Sequence, residues 1–283
     1  MRLAPGMNSN WKNLVARKTL LRELIATEVK ASTAHTKLGW LWWLLDPLLM
    51  MMIYWMIVVE LFGRGNDRYT PYWLFLFFGL ITWKHVSTAS AKAANLLKSK
   101  KGLIKAVAFP TLILPLASSI TNFAFFLFGF AMLMVMAAFV TPAQHTGDLL
   151  PMLQIPFLML LQLLIVAALS LPIACLGVVY RDFAGLVPHV LKIGFYLTPA
   201  LYGADLIQEG LIKKFGDSGG MIAYHLYMLN PFAVLITGYR DALYYGRYMP
   251  PVFWLQLVLQ ATIFLWVGYR IYQHFDRRVI KFL

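Results

Sequence analysis

The chain is dominated by long apolar stretches, and these limit its fold more than any other feature. Six of them run over about 38–62, 71–95, 109–140, 150–180, 183–202 and 251–273. A helix of about 20 apolar residues crosses the roughly 30 Å hydrocarbon layer of a bilayer. Inside lipid every backbone polar group needs a partner within the protein, a demand that helices meet by themselves. The pattern therefore predicts an all-α integral membrane protein with six transmembrane helices. Composition agrees, with 60% hydrophobic and 13% charged residues, against about 45–50% and about 25% in soluble domains. The third and fourth stretches are long enough to bend, and Pro115, Pro156 and Pro172 are the expected places.

Charge adds orientation. The chain has 25 Lys and Arg against 12 Asp and Glu. Much of the excess falls in three places: the segment before the first stretch, the connection Lys92–Lys105, and the C-terminal Arg277, Arg278 and Lys281. In an even-numbered topology these share a side with the turn Tyr180-Arg181-Asp182-Phe183. The positive-inside rule then places both termini in the cytoplasm. The excess is thus expected to serve orientation and anionic lipid rather than nucleic acid. Residues 1–37 read as a cytoplasmic tail and 38–283 as one transmembrane domain. The polar N-terminus predicts no cleaved signal peptide.

Two segments are neither spans nor plain loops. From Trp11 to Lys30, Leu14, Leu21, Leu24, Ile25 and Val29 recur at helical spacing, with Lys12, Arg17, Lys18, Glu23 and Lys30 mostly elsewhere on the wheel. This predicts an amphipathic helix in the cytoplasmic interface; a short soluble helix is the other reading. Between about 204 and 250, a polar, Gly-rich half precedes an apolar half broken at Asn230-Pro231. A pair of short re-entrant or interfacial helices on the external side fits, with Pro231 starting a helix behind an Asn cap.

Chemistry is sparse. No G-x-x-x-x-G-K-[ST] phosphate loop occurs, so ATP binding by that device is excluded. The single Cys175 and six scattered histidines, none paired at i, i+4, predict no metal site. No carboxylate pair or nucleophile motif points to catalysis. Asp46 is the one deep acid; Asp46-Pro47 either caps a helix start or breaks one begun earlier, and a ligand role is the alternative. Lys84 and His85 lie within the second stretch; Lys84 can snorkel to headgroups or line an aqueous path. The run Val86–Asn95 is rich in small residues and reads as a helix-packing surface. Trp40, Trp42, Trp43, Tyr69, Tyr72 and Trp73 fall at stretch ends, where interfacial aromatics belong. Tyr54, Trp55, Trp83, Tyr196 and Tyr202 fit that belt less well. They are candidates to face sugar rings, with lipid anchoring as the alternative.

Four stretches carry a family likeness: Leu38-Gly39-Trp40-Leu41-Trp42 with Asp46-Pro47-Leu48-Leu49; Asn95–Lys101 leading to Phe109-Pro110 and Leu114-Pro115; Tyr180-Arg181-Asp182; and Leu197-Thr198-Pro199-Ala200-Leu201-Tyr202, followed by Asn230-Pro231 and Arg240-Asp241. With these motifs the chain resembles the permease subunit of bacterial ABC-2 type polysaccharide exporters, as in O-antigen export. Capsule and teichoic-acid exporters are close relatives. The family more often has Asn where Asp46 stands.

The resemblance implies a homodimeric channel in the bacterial inner membrane. It implies two separate ATPase subunits docked on Lys98, Lys100, Lys101 and Lys105 with Arg181 and Asp182, and gate helices in the external segment. ATP and Mg would belong to those partners, with no cofactor in this chain. The cargo would be a lipid-linked polysaccharide. Charge placement makes Arg17, Lys18 and Arg22 candidates for its diphosphate headgroup. A capsular or teichoic-acid exporter is the near alternative. An ion-coupled secondary transporter is the alternative from another class, and it would want more buried acids or histidines. A membrane-embedded transferase acting on lipid-linked sugars ranks third, for want of a catalytic pair near the interface.

Overall fold

The computed structural model describes residues 18–33, 41–63, 68–106, 111–140 and 150–282. Among them every regular element is helical. Helix α1 covers Lys18–Thr33 and α2 covers Trp42–Trp55, continuing as a π-helical turn, Met56–Leu61. Next come α3 (Tyr72–Ser99), the short α4 (Lys101–Ala106) and α5 (Ile113–Val140). A 3-10 turn at Leu150–Gln154 leads into α6 (Ile155–Val179). Then follow α7 (Phe183–Leu197), α8 (Ala204–Tyr227), α9 (Pro231–Leu243) and α10 (Pro251–Phe282).

Four of these are long and apolar enough to cross a membrane: Trp42–Leu61, Ile113–Phe139, Leu150–Val179 and Pro251–Phe275. The expected span at 71–95 is the 28-residue α3, about 42 Å long. It is less apolar than the four because it sits in the middle of the bundle, packed on α2, α5, α6, α7 and α9. A helix screened from lipid tolerates Thr82, Lys84 and His85 along its length. The expected span at 183–202 is helical only over Phe183–Leu197. At about 22 Å it is shorter than the hydrocarbon layer.

Close helix contacts use small residues. A Cβ added at Gly177 of α6 would lie 2.0 Å from the Ala94 carbonyl oxygen of α3. One added at Gly268 of α10 would lie 2.3 Å from that of Ala168 in α6. The small-residue run of α3 is thus a packing surface. Since Ala94 and Gly177 lie late in both helices, α3 and α6 run parallel. Leu97 of α3, Leu112 before α5, Cys175 of α6 and Tyr272 of α10 share one apolar cluster, against which Leu24 of α1 packs. One end of the bundle therefore gathers α1, α4, the start of α5 and the ends of α3, α6 and α10.

Helix α1 keeps one face inward. Leu21, Leu24, Ile25, Glu28 and Val29 are half-buried, and Arg22, Glu23 and Lys30 are exposed. The expected helix began at Trp11; Trp11 to Arg17 lie outside the described residues. The prolines divide in role: Pro156 stands where the 3-10 turn gives way to α6, and Pro172 lies inside α6. Asp46-Pro47 neither caps nor ends α2, which starts four residues before Asp46 and runs on through both.

Beyond α7 the expected two helices are three helical pieces. Gly216 in α8 has φ +73, outside the helical region. A Cβ at Gly220 would lie 2.4 Å from Ile212 Cα, whereas in a straight helix residues eight apart are about 12 Å apart. The chain folds back on itself at Gly216. Asn230 then caps α9: its Oδ1 accepts from Phe232 N at 3.0 Å, and its Nδ2 donates to Thr198 Oγ1 at 2.9 Å. Taken whole, α8 and α9 meet at 98°, and only as one bent span would they make a fifth crossing.

Candidate functional site: a cleft between three helices

A cleft of about 900 Å³ opens between α2, α3 and α7. Its walls follow from local packing. Helix α7 leans on α3 where Gly194 meets Trp83; a Cβ there would come within 2.9 Å of the indole. Helix α2 is tied to α3 by the ion pair of Asp46 with Lys84 Nζ. Lys84 also lies 6.0 Å from the Trp43 ring, which stacks on Phe125 of α5 at 4.9 Å.

Aromatic and basic residues line the cleft together. Phe195 stands 6.0 Å from Tyr54, 6.2 Å from Trp83 and 5.2 Å from Tyr196, ring to ring. Three lysines, Lys84, Lys92 and Lys192, also face it. Lys92 pairs with Glu28 of α1 at 2.9 Å, and Glu28 accepts from Ser118 of α5 at 3.0 Å. Lys192 is exposed and makes no ion pair among the described residues.

Of the five aromatics singled out in the sequence, Tyr54, Trp83 and Tyr196 line this cleft. Tyr202 stands just beyond, its hydroxyl donating to the Tyr196 carbonyl at 2.8 Å. Trp55 packs partly buried on the main core and is not among the lining residues. Sequence reasoning missed Phe195, which lacks the polar handle used to choose candidates. It did not single out Lys192, a lone base in an apolar run.

The other candidate residues sit at the basic end. In α4, Leu103 and Ile104 pack inward while Lys101 and Lys105 are exposed. Lys98 is exposed and Lys100 half-buried at the end of α3; Arg181 and Asp182 are exposed in the turn after α6. Arg22 is exposed on α1, whose first residue is Lys18. Arg17 lies outside the described residues.

The opposite end is held by charged clasps. Arg240 of α9 is 2% exposed, and all five of its N–H groups meet backbone carbonyls. Nε and Nη2 donate to Phe75 (3.2 and 3.1 Å), Nη2 to Ala200 (2.8 Å), and Nη1 to Pro199 (2.6 Å) and Tyr202 (2.9 Å). Its guanidinium lies 3.6 Å over the Phe75 ring. Arg68, in the loop before α3, bonds Asp205 and Glu209 of α8 at 2.8 and 2.5 Å. Those two carboxylates, Glu209 first, raise the Arg68 pKa above its ordinary value and keep it charged. Burial, and then a hydrogen bond to Asp205, raise that of Tyr69 beside it. In the core, Gln162 of α6 joins His85 Nδ1 of α3 and the Tyr239 hydroxyl of α9, each at 2.8 Å.

Four helices long and apolar enough to cross a membrane, with basic residues gathered at one end of the bundle, mark a multi-pass membrane protein. No protein-family profile matches the chain. In sequence the chain is similar to permeases of O-antigen export systems. It is 29% identical over 264 residues to the O-antigen export system permease protein RfbA of Myxococcus xanthus, covering 93% of this chain and 94% of that protein. Proteins of the same name from Klebsiella pneumoniae are 27% identical over 222 residues, 78% of this chain and 79% of theirs.

Proposed function

We infer that the chain is the transmembrane permease subunit of an ABC transporter that exports a lipid-linked O-antigen polysaccharide across the bacterial inner membrane. One observation carries this reading: the similarity to O-antigen export permeases runs through 93% of the chain and 94% of the relative. It is a transport subunit rather than an enzyme. ATP and Mg belong to a separate ATPase, two copies of which serve a homodimer of this chain. Both termini face the cytoplasm and six segments cross the membrane, with α7 and the α8–α9 cap completing the outer half as a gate.

The basic end supports a motor contact. Lys98, Lys100, Lys101 and Lys105 stand with Arg181 and Asp182 at one end of the bundle, and α4 is anchored there by Leu103 and Ile104. The aromatic wall of Tyr54, Trp83 and Tyr196, with Tyr202 beyond it and Trp55 at the end of α2 outside the cleft, supports a path for sugar rings. Arg17, Lys18 and Arg22 receive the lipid headgroup at the cytoplasmic surface.

The test is complementation. In a host whose own O-antigen export permease is deleted, this chain with its ATPase restores surface O-antigen. Normal membrane expression without surface glycan refutes the assignment. Replacing the four lysines with Gln abolishes co-purification of the ATPase; an unchanged complex removes them from the motor contact.

A further inference from the structure

We propose that Glu28 of α1 is a positioning residue for transport. Through Lys92 of α3 and Ser118 of α5 it fixes where α1 docks on the bundle, and Lys92 passes that position on to the wall of the cleft. The proposal rests on the transport reading and concerns how α1 is held.

Glu28 stands where the helical wheel asks for an apolar residue. Leu21, Leu24 and Ile25 turn inward, and Glu28 follows Leu21 by two turns on the same face. Its side chain is 12% exposed, against 34% for Lys92. Glu28 Oε1 lies 2.9 Å from Lys92 Nζ and accepts from Ser118 Oγ at 3.0 Å. Ser118 is buried, and its carbonyl accepts from Asn122 Nδ2, one turn further along α5, at 2.7 Å. One carboxylate thus joins three helices.

A buried ion pair is a poor way to gain stability, because desolvating the two charges costs much of what their attraction returns. What the pair adds is direction. Helix α1 packs mainly against α5, and Leu20, Leu21, Leu24, Ile25 and Val29 are only half-buried. Apolar contact is non-directional, so such side chains in a shallow groove tolerate a slide or a rotation of the helix. A charge-assisted hydrogen bond does not, since its atoms must stay within about 3 Å of each other. Glu28 therefore sets the register of α1.

Lys92 gives that register a route into the bundle. It lies about 30 Å along α3 from Tyr72, toward the basic end, and it lines the cleft. About two turns earlier, Lys84 of the same cleft wall pairs with Asp46 of α2. Helix α3 thus holds both preceding helices by lysines on its cleft side, α2 through Asp46 and α1 through Glu28. A shift of α1 pulls on Lys92, and so on the cleft wall.

Thiol labelling reads the docking of α1. The full chain with its ATPase is placed in phosphatidylcholine nanodiscs and treated with a charged maleimide. Cys175→Ser removes the native thiol, and Leu24→Cys places one on the inward face of α1, where Leu24 packs on the bundle. In this background Glu28→Gln and Lys92→Gln should each raise the labelling rate about tenfold. Lys92→Arg should stay within about threefold of the parent. The double Gln variant should label no faster than the faster single one, since each change removes the same ion pair. The exposed Ala26→Cys, used in place of Leu24→Cys, should label at one rate throughout. In cells, each Gln variant of the otherwise wild-type chain should lower surface O-antigen about threefold or more at equal membrane level. Tm should stay within about 2 °C, and Lys92→Arg should keep export. Unchanged labelling in both Gln variants overturns the docking role. Additive rates in the double variant overturn the pairing. Faster labelling with full export overturns the role in transport. A Tm that falls in step with export makes the pair a structural brace and overturns positioning. A wild-type complex that exports no glycan sinks the transport reading alone, while labelling still decides the docking.

Discussion

Removing the Arg240 side chain tests how the end of the bundle opposite the basic cluster is held. Its five N–H groups all donate to backbone carbonyls of Phe75, Pro199, Ala200 and Tyr202. One side chain on α9 therefore fastens the first turn of α3 to the link between α7 and α8. Hydrogen bonds to a charged group are worth about 1.5–3 kcal/mol each. They do not simply add, because the charge itself was costly to bury and freed carbonyls find other donors. A buried acceptor left without a donor costs about 1–3 kcal/mol, so losing the donor to four carbonyls, some of which find another, costs about 3–5 kcal/mol together. For Arg240→Met this range is the expected loss of stability, since Met fills similar volume and donates nothing. At about 2–4 °C per kcal/mol, Tm should fall by roughly 6–20 °C. Arg240→Lys keeps the charge but has three donors and no planar fork, so its Tm should fall in between. The assay is thermal unfolding of the purified chain in one detergent, read by tryptophan fluorescence. If Arg240→Met melts within about 2 °C of wild type, the clasp does not hold this end and the reasoning fails.

Two further substitutions probe the core. Gly177→Ala pushes a methyl into the Ala94 carbonyl of α3 and should cost about 1–3 kcal/mol or more by forcing the helices apart. Gly185→Ala, with open space around it, should leave Tm unchanged, and equal effects from the two would refute close approach at Gly177. Tyr239→Phe removes the hydroxyl that donates to Gln162 Oε1 and should cost about 1–3 kcal/mol as an unpaired buried acceptor. A stability equal to wild type would mean that Gln162 finds another donor.

Much of the architecture was legible in the residues. Long apolar runs marked α2, α5, α6 and α10 because a lipid-facing helix must be apolar along its whole length. The Asn230-Pro231 step marked the start of α9, since a capping side chain and a missing N–H both belong to a first helical turn. The spacing of Leu21, Leu24, Ile25 and Val29 marked the inner face of α1. Span count was less legible. A central helix such as α3 can carry polar groups, and α7 looked longer because Thr198–Tyr202 continues its apolar composition after the helix has ended. The fold-back at Gly216 was hidden because a glycine-rich polar segment fits a loop as well as a hairpin of helices.

The cleft shows the same division. Local composition determined that Tyr54, Trp83 and Tyr196 were aromatic residues out of place in an interfacial belt, and that Asp46 was a lone deep acid. It determined too that charge gathers in the segments at one end. Their meeting was decided by tertiary structure. Tyr54, Trp83 and Tyr196 come from three helices, and Lys84 finds Asp46 thirty-eight residues away. Arg240 read as a polar residue of an external helix and proved to be the most fully bonded cation described. Periodicity and hydropathy report how each segment meets its solvent. Ion pairs, clasps and clefts depend on which segments become neighbours, and packing sets that through contacts as small as Gly177 on Ala94.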